Sequence, residues 1–201
     1  MGMYLGLTTI SQPNIDVVEG NPAFVWRLVE PDDPDAYLEA AELLSKRGFL
    51  DRLFGRKSQS VRSVPDPELE PGEGVDSEFD KAWHAIHFLL TGSAWQGEFP
   101  LAFLLVGGIV VPGIEVGYGP ARILTPGDVA TVDHTISSIP VDELCARFDG
   151  DEMDKADIYS NIWSRDEKAD CLDYIRDNYE DLRACVKSAH ERGFGLIVTI
   201  M

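Results

Sequence analysis

The first candidates for catalysis or metal binding are two histidines spaced three residues apart, His84 and His87. Neutral imidazoles at this spacing lie on one face of a helix and can share a divalent ion. Asp80 and Thr91 extend the same polar stripe by four-residue steps. The pair lacks the i, i+4 spacing with a glutamate that identifies zinc hydrolases. A shared metal is therefore one hypothesis, and an acid–base role for His87 is another.

A structural role is the interpretation we favour for both histidines. In it, His87 forms hydrogen bonds inside the fold and His84 lies near the surface, since buried polar groups usually serve structure. A metal site would need a further ligand such as His134 or His190, brought in by folding. We expect no metal and no cofactor.

Tyr118 and Arg122 form the second candidate site. Gly117 and Gly119 allow the backbone to approach a ligand closely, and an arginine binds carboxylate or phosphate through two parallel hydrogen bonds. A Gly-x-Gly followed by proline is not a dinucleotide fingerprint, so a tight turn is the simpler explanation. Together with the histidines, these residues are our candidates for ligand binding: His84, His87, Tyr118 and Arg122.

The three cysteines indicate packing rather than chemistry. Cys145, Cys171 and Cys185 are odd in number and contain no CxxC spacing, which argues against a disulfide framework and a zinc knuckle. Each lies among apolar residues of a predicted helix, where a thiol packs as a small apolar group.

The net negative charge of the chain limits the classes of molecule that it can be expected to bind. The chain has 35 acidic and 17 basic residues and a formal charge of -18, which would repel the phosphate backbone of a nucleic acid. A basic protein suits this charge better. No apolar run approaches the roughly 18 residues of a spanning helix, and the first residues lack a signal-peptide pattern, so we expect no membrane association and a cytoplasmic location.

The elements around the candidate residues predict a single α+β domain over 1–201. Several helices should pack on a small mixed sheet that includes the N- and C-terminal strands, and the continuous apolar run 196–200 predicts a central strand. The predicted strands are 3–10, 122–124 and 196–200, and the main predicted helices are 35–47, 80–92, 125–139, 141–148 and 165–192. Gly48 and Gly92 should end two of them, Thr125 should cap the helix 125–139 together with Asp128, and Ser11 or Asn14 should cap a short helix after the first strand. A stretch rich in proline, glycine and charge predicts a flexible surface insertion at about 50–77.

Several of these segments resemble the YfbM-like family of small bacterial proteins. The resemblance rests on the first three residues, the helix 80–92, residues 118–122 with Thr125, Pro126 and Val129, the segment 159–163, and the last helix and strand. It implies an α+β fold, a bacterial cytoplasmic protein and an unassigned role, with no catalytic residues to carry over. Relatives tend to have proline after the tyrosine that corresponds to Tyr159, where this chain has Ser160.

Three functional hypotheses remain open. The first, which we favour, is a non-catalytic acidic module that binds a basic protein, with the acidic stripe of the last helix as its surface. The second is an enzyme or small-ligand protein with a cleft around the four candidate residues, although no catalytic motif is recognisable. The third is a structural subunit of a homo-oligomer, in which exposed aromatic residues such as Trp26 or Trp95 would form the interface.

Overall fold

A five-stranded antiparallel sheet is the centre of the protein, and the computed structural model describes residues 2–52 and 65–201. The strands are β1 (Leu5–Ile10), β2 (Asp76–Phe79), β3 (Ile109–Glu115), β4 (Pro120–Leu124) and β5 (Gly195–Ile200). Their order across the sheet is β2-β1-β5-β4-β3. The terminal strands pair at the centre, as the sequence predicts, but the neighbouring strands are all antiparallel rather than mixed.

Eight α-helices in the described part cover both faces of the sheet. They are α1 (Gln12–Gly20), α2 (Val25–Val29), α3 (Pro34–Arg52), α4 (Ala82–Thr91), α5 (Pro126–Ser137), α6 (Val141–Cys145), α7 (Gly150–Lys155) and α8 (Lys168–Glu191). A short 3-10 turn precedes α2. The predicted single α+β domain is confirmed in its fold class.

The sheet separates two apolar cores, because successive side chains of a strand point to opposite faces. In β5, Leu196 and Val198 belong to the larger core, which packs against α4 to α8. Ile197, between them, belongs to the smaller core, which packs against α1 to α3. We refer to these as the large core and the small core.

Local capping signals set several helix ends as predicted. The Ser11 side chain caps α1, and Thr125 forms a reciprocal capping box with Asp128 at the start of α5. Gly92 ends α4 with a left-handed backbone at φ 73°. The prediction at Gly48 is wrong, because α3 continues to Arg52 and the glycine lies inside it.

The predicted insertion at about 50–77 ends earlier than the sequence suggests. Its residues 53–64 lie outside the described part of the chain. Asp76 and Ser77 already belong to β2, an edge strand paired with β1. The preceding loop, 65–75, is fixed by the buried Glu73, whose carboxylate accepts hydrogen bonds from the Ser11 backbone at 2.7 Å and from the Asn14 side chain at 2.7 Å.

The segment 93–108 connects α4 to β3. Its apolar part is a series of turns at 99–105. Gly108 ends it at φ 73°, where a Cβ would lie 2.5 Å from the Ile123 carbonyl oxygen. Only glycine allows this close approach to β4.

Candidate functional site

Helix α4 places both candidate histidines inside the protein. Its sequence is apolar around most of its circumference, so His84 and His87 are both 0% exposed in the large core. Asp80 precedes the helix and points elsewhere, accepting a hydrogen bond from the Tyr174 hydroxyl at 3.1 Å. The two histidines of the predicted polar stripe are therefore buried and do not form a polar surface of the helix.

His84 is a fully bonded structural histidine. Its Nε2 lies 2.7 Å from the Ala94 carbonyl oxygen, and its Nδ1 accepts the Tyr159 backbone N–H at 3.0 Å. The proton must be on Nε2, because Nδ1 is an acceptor. Burial lowers the pKa of His84, against the opposing effects of the Ala94 carbonyl and Asp157. The ring therefore stays neutral and ties two connecting segments to α4.

His84 also belongs to a cluster of three aromatic rings. Its ring centroid lies 4.8 Å from that of Trp83, at an angle of 15° between the planes. The Trp95 centroid is 4.3 Å from that of His84, at 46°, and 6.2 Å from that of Trp83. Trp95 is 53% exposed, so its ring separates the buried histidine from solvent.

His87 differs from its neighbour, because neither ring nitrogen has a hydrogen-bond partner in the described part of the chain. Burial lowers the pKa of His87 to about 4, with further lowering from the nearby His84 and Arg122 and an opposing effect of the Gln96 backbone. The structural interpretation from sequence assigned the two histidines the wrong way round. His84 has the hydrogen bonds and His87 lacks them.

Arg122 projects from β4 into the region next to the histidines. Its Nη2 donates to the carbonyl oxygens of Phe103 and Leu104 at 3.1 and 2.6 Å, and its Nη1 donates to that of Gly107 at 2.9 Å. These contacts hold the turns of the 93–108 segment. Burial lowers the pKa of Arg122 to about 10, so the side chain remains charged at neutral pH.

Arg122, Tyr118 and Trp95 line a cleft of about 300 Å³. Its other walls are Leu105, Gly119, Pro120, Val198 and Ile200. Tyr118 is 63% exposed. Within the described residues, Arg122 forms no ion pair, and its Nε–H and one Nη1–H have no partner. We call this cavity the arginine cleft.

The structure thus brings the four candidates into one region but not into one pocket. Tyr118 and Arg122 line the arginine cleft, whereas neither histidine does: His84 packs against the Trp95 ring, and His87 lies close to His84. His190 is elsewhere, with its Nδ1 2.7 Å from a carboxylate oxygen of Asp133. Among the residues that the structure describes, no three side chains are arranged to hold a metal ion.

Comparison with known proteins identifies the family. The model of a domain of unknown function, DUF1877, matches residues 1–199. The chain belongs to the DUF1877 family. Among curated proteins, no relative matches this chain.

A solved structure shows the same fold as this DUF1877 chain. The crystal structure of YfbM from Escherichia coli, a protein of unknown function, covers 98% of this chain and 99% of its own at a TM-score of 0.61. The sequence identity is 14%, so the likeness shows the fold alone. The resemblance to the YfbM-like family is confirmed.

Trp95 is the residue of the DUF1877 site that sequence reasoning did not assign to it. The sequence indicates it only as an aromatic residue that would form the interface of a homo-oligomer if exposed. Its role depends on contact with His84 and with the arginine cleft, which only the folded chain provides. In the sequence, the signal that could have indicated this role is a tryptophan that closely follows the pair of histidines and the glycine at the end of their helix.

The remaining candidates fit structural roles. Cys145 and Cys171 are buried and Cys185 is half-buried, and burial raises the pKa of each thiol. A raised pKa lowers the fraction of reactive thiolate, as expected for packing. In the described part of the chain, no helix is both long enough and apolar enough to cross a bilayer.

Proposed function

We propose that this DUF1877 protein binds a small organic anion with a planar, aromatic body in the arginine cleft. The observation that supports this proposal is a charged Arg122 without an acidic partner among the described residues, exposed to a cleft with two aromatic walls. In a chain with a formal charge of -18, a cation left unpaired at a cavity is unusual and gives an anion a defined place.

The arrangement favours such a ligand for two physical reasons. The two free N–H groups of Arg122 can donate to a carboxylate or phosphate, and partial burial strengthens charge-assisted hydrogen bonds. Trp95 and Tyr118 offer ring faces on which a planar ligand can stack, worth about 1 kcal/mol beyond its buried area. Three carbonyl contacts fix the guanidinium, so binding requires little ordering of that side chain.

Binding without catalysis fits this geometry better than an enzyme. Both ring nitrogens of His84 are engaged, so His84 has no free position for proton transfer. His87 is 0% exposed and lies outside the lining of the cleft. A general acid or base must reach its substrate within hydrogen-bond distance.

The experiment is a tryptophan-fluorescence titration of the full chain with benzoate and with its neutral analogue benzamide. We expect benzoate to change the emission of Trp95 and to bind at least about 10-fold more tightly than benzamide, because only the anion pairs with Arg122. Trp95→Phe removes the reporter and Tyr118→Ala removes the second wall. Both side chains are more than half exposed, so the variants should fold normally.

The matched control is Val75→Ala, which changes an apolar side chain of similar exposure, 52%, at the far edge of the sheet. Arg122→Lys keeps the charge but loses the planar donor geometry, and it should bind benzoate more weakly. Equal binding of benzoate and benzamide, or binding unchanged in both Tyr118→Ala and Arg122→Lys, would overturn the proposal.

We also infer a bacterial, cytoplasmic protein. The inference is supported by three free thiols, which are typical of reducing compartments, and by the likeness to an Escherichia coli protein. Fractionation of the host cell would test it, and recovery in a secreted or periplasmic fraction would contradict it.

A further inference from the structure

A second cleft, of about 380 Å³, opens between α2, the first half of α3 and β3. Its apolar lining comes from Trp26, Ala36, Ala40, Leu43 and Ile114. Leu43 is 56% exposed, although leucine on a helix of this kind is usually turned toward the core. The cleft lies against the small core, on the opposite face of the sheet from the large-core residue Val198 that lines the arginine cleft.

The described rim of this second cleft is acidic. Among the residues that the structure describes, five carboxylates line it and no basic side chain does: Glu30, Asp33, Asp35, Glu39 and Glu115. Asp33 has a local role, since its Oδ1 accepts the backbone N–H groups of Asp35 and Ala36 at the start of α3. None of the five forms an ion pair with a described residue. We call this cavity the acidic groove.

We propose that the acidic groove docks a basic, amphipathic segment of a partner protein. An apolar side chain of the segment would pack on Trp26 and Leu43, while lysine or arginine side chains on its flanks would pair with the rim. Charge complementarity selects the occupant, because an acidic or neutral segment would leave five carboxylates facing an uncompensated interface. The Trp26 ring adds a face that attracts a cation.

The groove is a better docking surface than the acidic stripe of α8, which the sequence suggests for a basic partner. The stripe residues Asp170, Asp173, Asp177 and Asp181 are exposed on a helix, and they line neither the acidic groove nor the arginine cleft. Exposed charges alone contribute steering rather than affinity. Specific docking needs buried apolar anchors as well, and the groove has them.

The test uses the full chain and a synthetic amphipathic peptide of leucine and lysine at helical spacing. A scrambled isomer has the same charge but no apolar face, and spermidine supplies a small cation. Affinity is measured by isothermal titration calorimetry at low and high salt. The groove variant is Glu39→Gln with Glu115→Gln, and the matched control is Asp173→Asn with Asp177→Asn, which changes the net charge equally on α8.

We expect the groove variant to weaken peptide binding by at least about 10-fold and the α8 control by less than about 2-fold. Leu43→Ser should also weaken it, and the scrambled isomer should bind at least about 10-fold more weakly, because the apolar anchor is lost. Leu43, Glu39 and Glu115 are exposed, so we expect these variants to fold and any loss of affinity to report on the groove.

Four outcomes would overturn the proposal. Equal losses in the groove variant and the α8 control, or equal binding of the scrambled isomer, would mean non-specific attraction. Absence of peptide binding would exclude the docking surface. Full displacement of the peptide by spermidine would indicate a small-cation site. A dimer in sedimentation velocity that Leu43→Ser abolishes would identify a second copy of this chain as the occupant.

Discussion

Glu73 and His87 are both buried polar side chains, one on each side of the sheet, but their surroundings are opposite. Glu73 is 6% exposed, and its carboxylate accepts three hydrogen bonds, from Ser11, Asn14 and the Glu70 backbone. His87 is 0% exposed and neither of its ring nitrogens has a partner in the described chain. Glu73 therefore stabilises the fold through its hydrogen bonds, whereas the His87 ring makes no such contribution.

The pKa values follow the same division. Burial would raise the pKa of Glu73, but hydrogen bonds from the Glu70 and Ser11 backbones and from Asn14 outweigh it, so the pKa lies below its ordinary 4.5. For His87, the Gln96 backbone favours the charged form but does not outweigh burial, which lowers the pKa to about 4. Glu73 is therefore held in its charged form and His87 in its neutral form.

Glu73→Ala should have the largest effect on stability, about 4 kcal/mol, because it leaves donors at Ser11 and Asn14 buried without an acceptor. The lowered folded pKa means that this stabilisation is complete above pH 4.5 and is lost as the pH falls through the folded value. Urea unfolding at pH 7 and pH 3.5 measures both effects.

The control for Glu73 is Glu70→Ala, which removes an exposed carboxylate from the same loop and keeps the backbone donor. It should change the free energy of unfolding by less than about 0.5 kcal/mol. Similar losses in both variants would show that the loop, rather than the buried carboxylate, depends on these side chains.

His87→Leu should mainly change how stability depends on pH. The unfolded chain takes up a proton near pH 6.5, whereas folded His87 resists protonation until about pH 4. Between these values the unfolded state binds more protons, so the free energy of unfolding falls as the pH falls, by at most about 3 kcal/mol. His87→Leu should remove this part of the fall, and at pH 7.5 it should be neutral or slightly stabilising.

The pH series is measured by urea midpoints from pH 4 to pH 7.5 on wild type and variant. A slope that is unchanged in His87→Leu would mean that His87 titrates normally and has a polar partner in solution.

His84→Leu sharpens the comparison within one helix. Its loss leaves the Ala94 carbonyl and the Tyr159 N–H unpaired, so we expect a cost of about 2 kcal/mol at pH 7.5, where His87→Leu costs nothing. Thermal unfolding of the two variants side by side is the measurement. Equal losses of stability in the two variants would contradict the conclusion that only His84 stabilises the fold through its hydrogen bonds.

Tyr174→Phe should cost less than His84→Leu, about 1 kcal/mol. The Tyr174 hydroxyl accepts the Ala82 N–H at 3.2 Å and donates to Asp80 at 3.1 Å, at the start of α4, and its pKa is raised to about 12, mainly by burial. Asp80 is exposed, so water can replace one of the two contacts. Urea unfolding checks this value, and a cost above that of His84→Leu would reverse the order proposed here.

The sequence predicts those features that depend on neighbours within a few residues. The caps at Ser11 and Thr125 and the stop at Gly92 are of this kind, and so is the central strand β5, whose continuous apolar character requires burial on both faces. Gly48 fails as a stop because the following residues continue the helix, and a glycine inside a helix costs only about 1 kcal/mol.

The candidate site depends on contacts between distant residues, which no local pattern contains. Whether His84 or His87 is bonded depends on Tyr159, 75 positions later in the chain. The position of Arg122 depends on carbonyls 15 to 19 residues earlier. The residue types therefore indicate which side chains are candidates for ligand binding, but only the folded structure shows which of them line a cleft.

The central position of β5 has a consequence for cooperativity. The sheet consists of two pairs, β1 with β2 and β3 with β4, and in the described chain β5 is the strand that joins them. Its pairing with β1 spans almost the whole sequence, so most of the chain must be in place before the two halves connect. Opening of β5 would divide the sheet into two hairpin-like units, and we expect its amides to exchange hydrogen only at the free energy of global unfolding.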